Sequence, residues 1–176
     1  MRTGEGKTYL FVAVDRTSKY AYVEVHMSAS VSAAVTFMRN LILAVPYKIH
    51  KVLTDNGLQF TSVLMRYPPK KPHAFDALCK EYGIEHRLTP FKHPWTNGQV
   101  ERMNQTIKQA TVKIYHDETV AQFKQHLHDF MNAYNHAKKL KTLRFLTPMQ
   151  KILDEYKKMP HLFHHEPKYY LKGLNT

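Results

Sequence analysis

Two runs of apolar residues near the start of the chain predict a pair of β-strands. Residues 9–14 and 20–25 are rich in Val, Tyr, Phe and Ala, and the polar run 15–19 separates them. This pattern is typical of two extended strands joined by a tight turn, so we predict that Asp15 lies in a hairpin turn. Two shorter runs, residues 51–54 and 84–88, predict two further strands.

Apolar residues that recur every three or four positions predict helices between and after these strands. The first helix is predicted over residues 30–44, ending before Pro46, with an inner stripe formed by Val31, Val35, Met38, Ile42 and Val45. A short helix that starts near Pro72 or His73 carries the apolar residues Phe75, Leu78, Cys79 and Tyr82. This alternation of strands and helices is typical of an α/β fold.

Three later helices follow the same periodicity. The first has Asn97 as its predicted N-cap, and its buried stripe is formed by Val100, Met103, Ile107, Ala110 and Ile114. The second is predicted over residues 120–136, with a stripe formed by Val120, Phe123, Leu127, Phe130 and Tyr134. Thr147 and Pro148 predict the start of the third, because Thr is a good N-cap and Pro is favoured at the first helical position.

Positive charge exceeds negative charge along the chain. The 176 residues contain 26 Lys and Arg against 14 Asp and Glu, a formal net charge of +12. This excess suits a polyanionic partner, although it does not by itself identify DNA. The single cysteine, Cys79, excludes an internal disulfide framework and fits a core thiol in a reducing compartment. No apolar run could span a bilayer and no signal peptide opens the chain, so the expected location is the cytoplasm or the nucleoid.

Two carboxylates occupy positions at which a metal ion could bind. Asp55 follows the strand of residues 51–54, and ligands gather at strand ends in α/β sheets. Glu101 falls in the first turn of a predicted helix. Taken singly, each has an ordinary explanation, because Asp-Asn-Gly forms turns, with Asn56 able to close an Asx turn, and a first-turn Glu complements the helix dipole. Taken together, they form a candidate site for Mg²⁺, which prefers oxygen ligands.

Both segments, TDNG at residues 54–57 and HPWTNGQVERMNQTIK at residues 93–108, resemble the catalytic core of the DDE transposases and integrases. They are most similar to the insertion-sequence transposases related to retroviral integrases, and the resemblance extends more loosely over nearly the whole chain. It implies a ribonuclease H-like α/β fold with a mixed sheet flanked by helices on both faces. It also implies a catalytic core over residues 1–146, followed by a C-terminal helix and basic tail over residues 147–176.

The resemblance implies roles for individual residues. Asp55 and Glu101 would be the catalytic, metal-binding carboxylates, with Mg²⁺ or Mn²⁺ as the cofactor. Residues 89–96 would form an active-site loop. Lys108 would contact DNA near the reacting end, and the DNA-binding set would also contain Gln105, Asn97 and Asn104.

The first metal-binding Asp of the family pattern has no clear match. In the family, the hairpin of residues 9–25 resembles the second and third strands of the sheet, and the first Asp lies on the strand before them. We therefore expect the chain to be N-terminally truncated, to lack its first strand and to be catalytically incomplete as given. Asp15 is the alternative metal ligand, although a place in a hairpin turn argues against it.

The expected function is DNA transposition or integration, with hydrolysis at DNA 3′ ends and strand transfer by two-metal phosphoryl transfer. The expected partners are transposon ends and target DNA, which a homo-oligomer would bind. No membrane association is expected. Two alternatives remain open. One is a non-catalytic DNA-binding remnant of a transposase, and the other is a ribonuclease H-like metal-dependent nuclease that cuts DNA without joining it.

Overall fold

The strands of the computed structural model, which describes residues 2–90, 98–111 and 119–167, form separate pairs. A short hairpin that the sequence did not predict pairs β1 (Arg2–Thr3) with β2 (Gly6–Lys7). The predicted hairpin is confirmed, with β3 (Tyr9–Val14) antiparallel to β4 (Ala21–His26). The other two predicted strands, β5 (Lys51–Thr54) and β6 (Glu85–Leu88), pair in parallel.

Helices fill the intervals between and after the strands, as expected. The described residues form α1 (Val31–Ala44), α2 (Ala74–Glu81), α3 (Gly98–Ala110), α4 (Val120–Asn132) and α5 (Pro148–Lys158). The side chains of Ser30 and His73 accept backbone N–H groups at the starts of α1 and α2. Thr119 and Thr147 start α4 and α5 with capping boxes, which satisfy backbone donors that the first turn leaves unpaired. None of these helices is long and apolar enough to cross a membrane.

The predicted inner stripe of α1 is only partly correct. The buried face of the helix contains Ala33, Ala34, Phe37, Met38 and Leu41. Among the predicted residues, Met38 and the C-cap residue Val45 are buried, whereas Val31, Val35 and Ile42 are half-buried. Because α1 is apolar around most of its circumference, periodicity alone does not choose between adjacent faces.

The core consists of two apolar clusters on opposite faces of the β3–β4 hairpin. One cluster joins α1 and α2 to Phe11 of β3, and the other joins α3 and α4 to Ala21 of β4. Leu10 and Val12 pack against the second cluster, as expected for a strand whose successive side chains point to opposite faces. Cys79 is buried in the first cluster, where burial and the nearby Asp76 carboxylate raise the pKa of its thiol to about 11. The prediction of a core thiol is confirmed.

A cavity of about 910 Å³ lies between the two longer strand pairs. It is lined by all six residues of β3 and all four residues of β5, whereas β4 and β6 contribute Tyr22, Arg87 and Leu88. Since consecutive side chains of a strand alternate between faces, a cavity lined by every residue runs along the edge of the strand. The edges of β3 and β5 that lack a strand partner among the described residues therefore face this cavity. The expected mixed sheet is present as two separate pairs, one antiparallel and one parallel.

The C-terminal helix packs on the rest of the described chain. Ile152 of α5 is buried, and the turn after α5 bonds to the segment after α1 through Lys48 N–H to Leu162 O and His164 N–H to Pro46 O, both at 2.8 Å. The division of the chain at residue 146 stays a prediction, and most of the expected basic tail, residues 168–176, lies outside the described residues.

Asn135 takes the place of a neighbouring strand at the outer edge of β4. It lies in a π-helical turn, Ala133–Ala137, that continues α4. Its Oδ1 accepts a hydrogen bond from the Ala21 N–H at 3.0 Å, and its Nδ2 donates to the Ala21 carbonyl at 2.8 Å. Asn135 is 5% exposed, so this side chain satisfies two backbone groups in the interior.

Asn135→Ala is expected to lower the free energy of unfolding by about 2–4 kcal/mol, because each buried backbone group left unpaired costs about 1–3 kcal/mol. Urea unfolding followed by circular dichroism measures the change. The matched control is Asn132→Ala, whose side chain bonds His128 on the surface of α4 and whose loss should change stability by less than about 0.5 kcal/mol. Equal unfolding midpoints for the two variants would contradict the role of Asn135.

Candidate functional site

Asp55 lies directly after β5, at the carboxyl end of the parallel strand pair. The residue is exposed, and its Oδ1 accepts a hydrogen bond from the Gly57 N–H at 2.8 Å. The side chain of Asp55 thus forms the Asx turn at this point. The sequence pattern had indicated Asn56 for that role. The Asn56 side chain instead donates to the Thr89 carbonyl at 2.9 Å. This nonlocal bond ties the turn to the segment after β6.

Hydrogen bonds hold the backbone on both sides of this turn. Thr89 follows β6 and donates to the Thr54 carbonyl twice, from its N–H at 2.8 Å and from its Oγ1 at 2.9 Å. The Thr54 hydroxyl donates to the Asp55 carbonyl at 3.0 Å. Both Thr54 and Thr89 are buried, so these bonds form away from solvent. Hydrogen bonds therefore hold the peptide on each side of Asp55.

His86 of β6 connects the same strand end to α2. Its Nε2 lies 2.8 Å from Thr54 Oγ1, and its Nδ1 contacts Oδ1 of Asp76. The ring also packs edge-on against Phe75, with the ring centroids 5.0 Å apart. The His86 side chain is only 6% exposed, whereas Asp76 is 46% exposed. The sequence did not predict this arrangement. The only sequence feature that pointed to it was a histidine within the short strand β6, which does not reveal its partners.

Helix α3 presents the other candidate residues on its exposed side. Glu101, Gln105 and Lys108 are all exposed, while Met103 and Ile107 are buried. The predicted stripe is confirmed at Met103 and Ile107, whereas Val100 and Ala110 are half-buried and Ile114 lies outside the described residues. Asn97 and most of the predicted active-site loop, residues 91–97, lie outside the described residues.

The cavity between the strand pairs brings Asp55 and the start of α3 to one place. Asp55 lines it from one side, and Gln99, Val100 and Asn104 of α3 also line it. Glu101 lies on the same helical turns, between Val100 and Asn104. That the Asp55 and Glu101 carboxylates come close enough to share one metal ion stays a prediction.

Asp15 lies in the hairpin turn, as predicted. Its carboxylate accepts hydrogen bonds from the N–H groups of Thr17 at 3.2 Å and Ser18 at 2.9 Å, and it also contacts the Ser18 hydroxyl. Asp15 lines the same cavity as Asp55, together with Tyr47. Burial, followed by the charge of Asp15, raises the pKa of Tyr47 far above its ordinary value. Because both oxygens of Asp15 bond within its own turn, Asp15 is a poorer candidate metal ligand than Asp55.

The described residues contain no group of three His, Cys, Asp or Glu side chains placed to hold a metal ion. Asp15, Asp55 and Glu101 therefore do not form a three-carboxylate site in this arrangement. Asp55 and Glu101 are exposed carboxylates among the described residues, and carboxylate oxygen is the ligand type that a divalent cation such as Mg²⁺ prefers. Magnesium binds such ligands and retains several waters, so the two residues fit part of a metal site.

Known proteins resemble this chain over most of its length. Uncharacterized protein K02A2.6 of Caenorhabditis elegans is 35% identical over 130 residues, which is 72% of this chain and 9% of that protein. The putative integrase ORF3 of Spiroplasma virus SpV1-C74 is 26% identical over 152 residues, 81% of this chain and 41% of that protein. The Pro-Pol polyprotein of Simian foamy virus type 1 is 29% identical over 110 residues, 62% of this chain and 8% of that protein. The chain thus spans less than half the length of each relative.

Solved structures share the fold. The catalytic core domain of BIV integrase matches with a TM-score of 0.66 and 22% identity, over 86% of this chain and 90% of that one. A chain of the simian T-cell lymphotropic virus intasome in complex with PP2A regulatory subunit B56 gamma matches with a TM-score of 0.67 and 22% identity, over 92% and 49%. The fold is therefore the expected ribonuclease H-like α/β fold. Two models described as integrase core domain match residues 1–94 and 82–148, and the chain belongs to the integrase core domain family.

Proposed function

We propose that this chain is the core region of a DNA transposase or integrase, which hydrolyses DNA at 3′ ends and joins those ends to target DNA. The observation that carries the proposal is the shared cavity. Asp55 at the end of β5 and the residues that flank Glu101 on α3 line it together. Membership in the integrase core domain family supports polynucleotidyl transfer as the class of reaction.

Asp55 and Glu101 would hold the divalent metal ion. Both side chains are exposed carboxylates, and the bond from the Gly57 N–H orients the Asp55 carboxylate. When bound, Mg²⁺ or Mn²⁺ would activate the attacking oxygen and stabilise charge on the leaving oxygen. The chain's own contribution is to hold the two carboxylates on rigid elements, a strand end and a helix.

The exposed side of α3 would hold the DNA strand beside these carboxylates. Lys108 and Gln105 are exposed on the same helix as Glu101, and Asn104 lines the cavity. A lysine at this position attracts phosphate and releases counterions from DNA, which stabilises binding without reading sequence. Asn97 belongs to the proposed DNA-binding set as well. The working assembly we propose is a homo-oligomer on DNA, which the fold shared with an intasome chain supports.

A further strand would complete the site by entering the cavity between β3 and β5. Both strands turn an edge toward the cavity, and side chains of α1 and α3 line it as well. A strand placed there would be covered on both faces and would therefore be apolar throughout. A carboxylate at its Asp55 end would supply the third ligand that the described residues do not group with Asp55 and Glu101. We propose that catalysis requires this strand in addition to the residues that the structure describes.

A second candidate function is DNA binding without catalysis. It is favoured by the absence of a three-ligand group in the described part of the chain. The two functions differ in what they require of the carboxylates, because phosphate binding depends on cations whereas cleavage depends on the metal ligands. A metal-dependent nuclease, the remaining alternative, would cut DNA in the same assay and leave no joined product.

Asp55→Asn and Glu101→Gln should each weaken Mn²⁺ binding by more than about tenfold, since losing even an outer partner of a metal ligand typically costs about 10- to 100-fold. Electron paramagnetic resonance of free Mn²⁺ measures the affinity. Asp129→Asn, an exposed carboxylate on α4, is the control and should bind like the unmodified chain. Unchanged affinity in Asp55→Asn would remove Asp55 from the site.

Strand addition tests the completeness of the site. A version carrying an apolar strand that ends in Asp, fused through a flexible linker, should join oligonucleotides with Mg²⁺, whereas the same fusion ending in Asn should not. Both fusions should raise the melting temperature, because the strand pairs with the edges of β3 and β5. If the unmodified chain joins DNA equally well and Asp15→Asn abolishes joining, Asp15 is the third ligand and the added strand is unnecessary.

DNA affinity should fall steeply as salt rises, because each phosphate contact adds about 0.9 to the slope of log K against log salt. Lys108→Ala should weaken binding and reduce that slope by about 1. Fluorescence anisotropy of a labelled duplex at several salt concentrations measures both quantities. Lys124→Ala removes an exposed lysine from α4 and is expected to leave the slope unchanged. Identical slopes for all three proteins would exclude Lys108 from the DNA contact.

A further inference from the structure

A series of polar groups, buried at its centre, connects α2 to the Asp55 peptide. It begins at Asp76 on α2, passes through the His86 ring on β6 and the Thr54 hydroxyl on β5, and ends at the Asp55 carbonyl. The His86 side chain is 6% exposed and Thr54 is 8% exposed, whereas the Asp76 side chain is 46% exposed and Asp55 is exposed. Polar networks with little solvent are strong when every group has its partner. The series therefore ties the backbone of the exposed residue Asp55 to α2, β6 and β5.

The Thr54 hydroxyl lies between two hydrogen-bond partners, the Asp55 carbonyl and the His86 ring. The Thr54 hydroxyl has one hydrogen, and the Asp55 carbonyl can only accept, so that hydrogen points to Asp55. The contact between Thr54 Oγ1 and Nε2 of His86, at 2.8 Å, is also within hydrogen-bond distance. On its other side, Nδ1 of His86 faces the Asp76 carboxylate, which is also an acceptor. His86 therefore bridges the Asp76 carboxylate and the Thr54 hydroxyl, and its ring holds the hydroxyl in place.

We propose that His86 is a positioning residue for Asp55. By orienting the Thr54 hydroxyl it fixes the Asp55 peptide, and with it the direction in which the carboxylate meets a divalent cation. Asp76 orients the His86 ring, and the two bonds from Thr89 hold the Thr54 carbonyl from the other side. The proposal rests on the proposed role of Asp55 as a metal ligand. Groups that orient a ligand without touching the metal commonly set its affinity.

A purely structural role for His86 would tie α2 to β6 and nothing more. The two roles separate at Thr54, because Thr54→Val removes the hydroxyl and leaves the contact between His86 and Asp76 in place. Thr54→Ser retains the hydroxyl and serves as the conservative control. Thr111→Val is the control for the general cost of losing a buried hydroxyl, since Thr111 Oγ1 donates to the Ile107 carbonyl at 2.7 Å. His86→Phe removes both bonds of the ring and keeps its packing against Phe75.

Amide hydrogen exchange of Gly57 in the metal-free chain is the direct readout, because the Gly57 N–H bonds to Asp55 Oδ1. Relative to the amides of α1, which report global opening, Thr54→Val and His86→Phe should each raise Gly57 exchange about tenfold. The double variant should rise no further, because both changes break the same series. Thr54→Ser and Thr111→Val should remain within about twofold of the unmodified chain.

Mn²⁺ affinity is the second readout, and Thr54→Val is expected to weaken it about tenfold while Thr54→Ser does not. Gly57 exchange that is unchanged in both Thr54→Val and His86→Phe would overturn the positioning role. Faster Gly57 exchange, combined with equal Mn²⁺ affinity in the unmodified chain and Asp55→Asn, would uphold positioning and overturn the proposed metal role of Asp55. The two failures are thus distinguishable.

Discussion

Apolar packing against α1 holds together two strand pairs that share no backbone ladder in the described residues. Phe37, Met38 and Leu41 of α1 line the cavity between the pairs. The same face joins Phe11 of β3 and Phe75 of α2 in one cluster. Apolar burial is worth about 25 cal/mol per Å² but is not directional. The helix therefore keeps the pairs near one another, whereas a hydrogen-bonded ladder would also fix their register.

The edges along the cavity follow from this arrangement. An unpaired strand edge presents N–H and C=O groups that readily pair with another strand. Here two such edges, those of β3 and β5, meet one cavity, so a single strand could pair on both sides at once. Its side chains would also contact apolar residues of α1 and α3. The same cavity is lined by Asp55, which couples completion of the sheet to the geometry of the candidate metal site.

Local sequence patterns predicted the elements well, but they did not predict the contacts between them. Alternation and spacing located the hairpin, and turn chemistry placed Asp15 within it. The face of α1 was wrong in part, because a helix that is apolar on most sides gives periodicity little to select. The contact from His86 to Thr54 joins residues 32 positions apart, and that from Asn135 to Ala21 joins residues 114 positions apart. No local pattern contains information on pairs this distant.

Asp15 and Asp55 share so many local features that spacing alone does not choose between them as candidate metal ligands. Both residues directly follow a strand, both line the cavity and both accept hydrogen bonds within a turn. Asp15 bonds backbone N–H groups through both of its oxygens. In the described residues the turn bond of Asp55 uses Oδ1 alone, and its peptide is held by buried threonines instead of by its own carboxylate. The Asp55 carboxylate is thus less engaged in its own turn than the Asp15 carboxylate, which makes Asp55 the better candidate of the two to bind a cation.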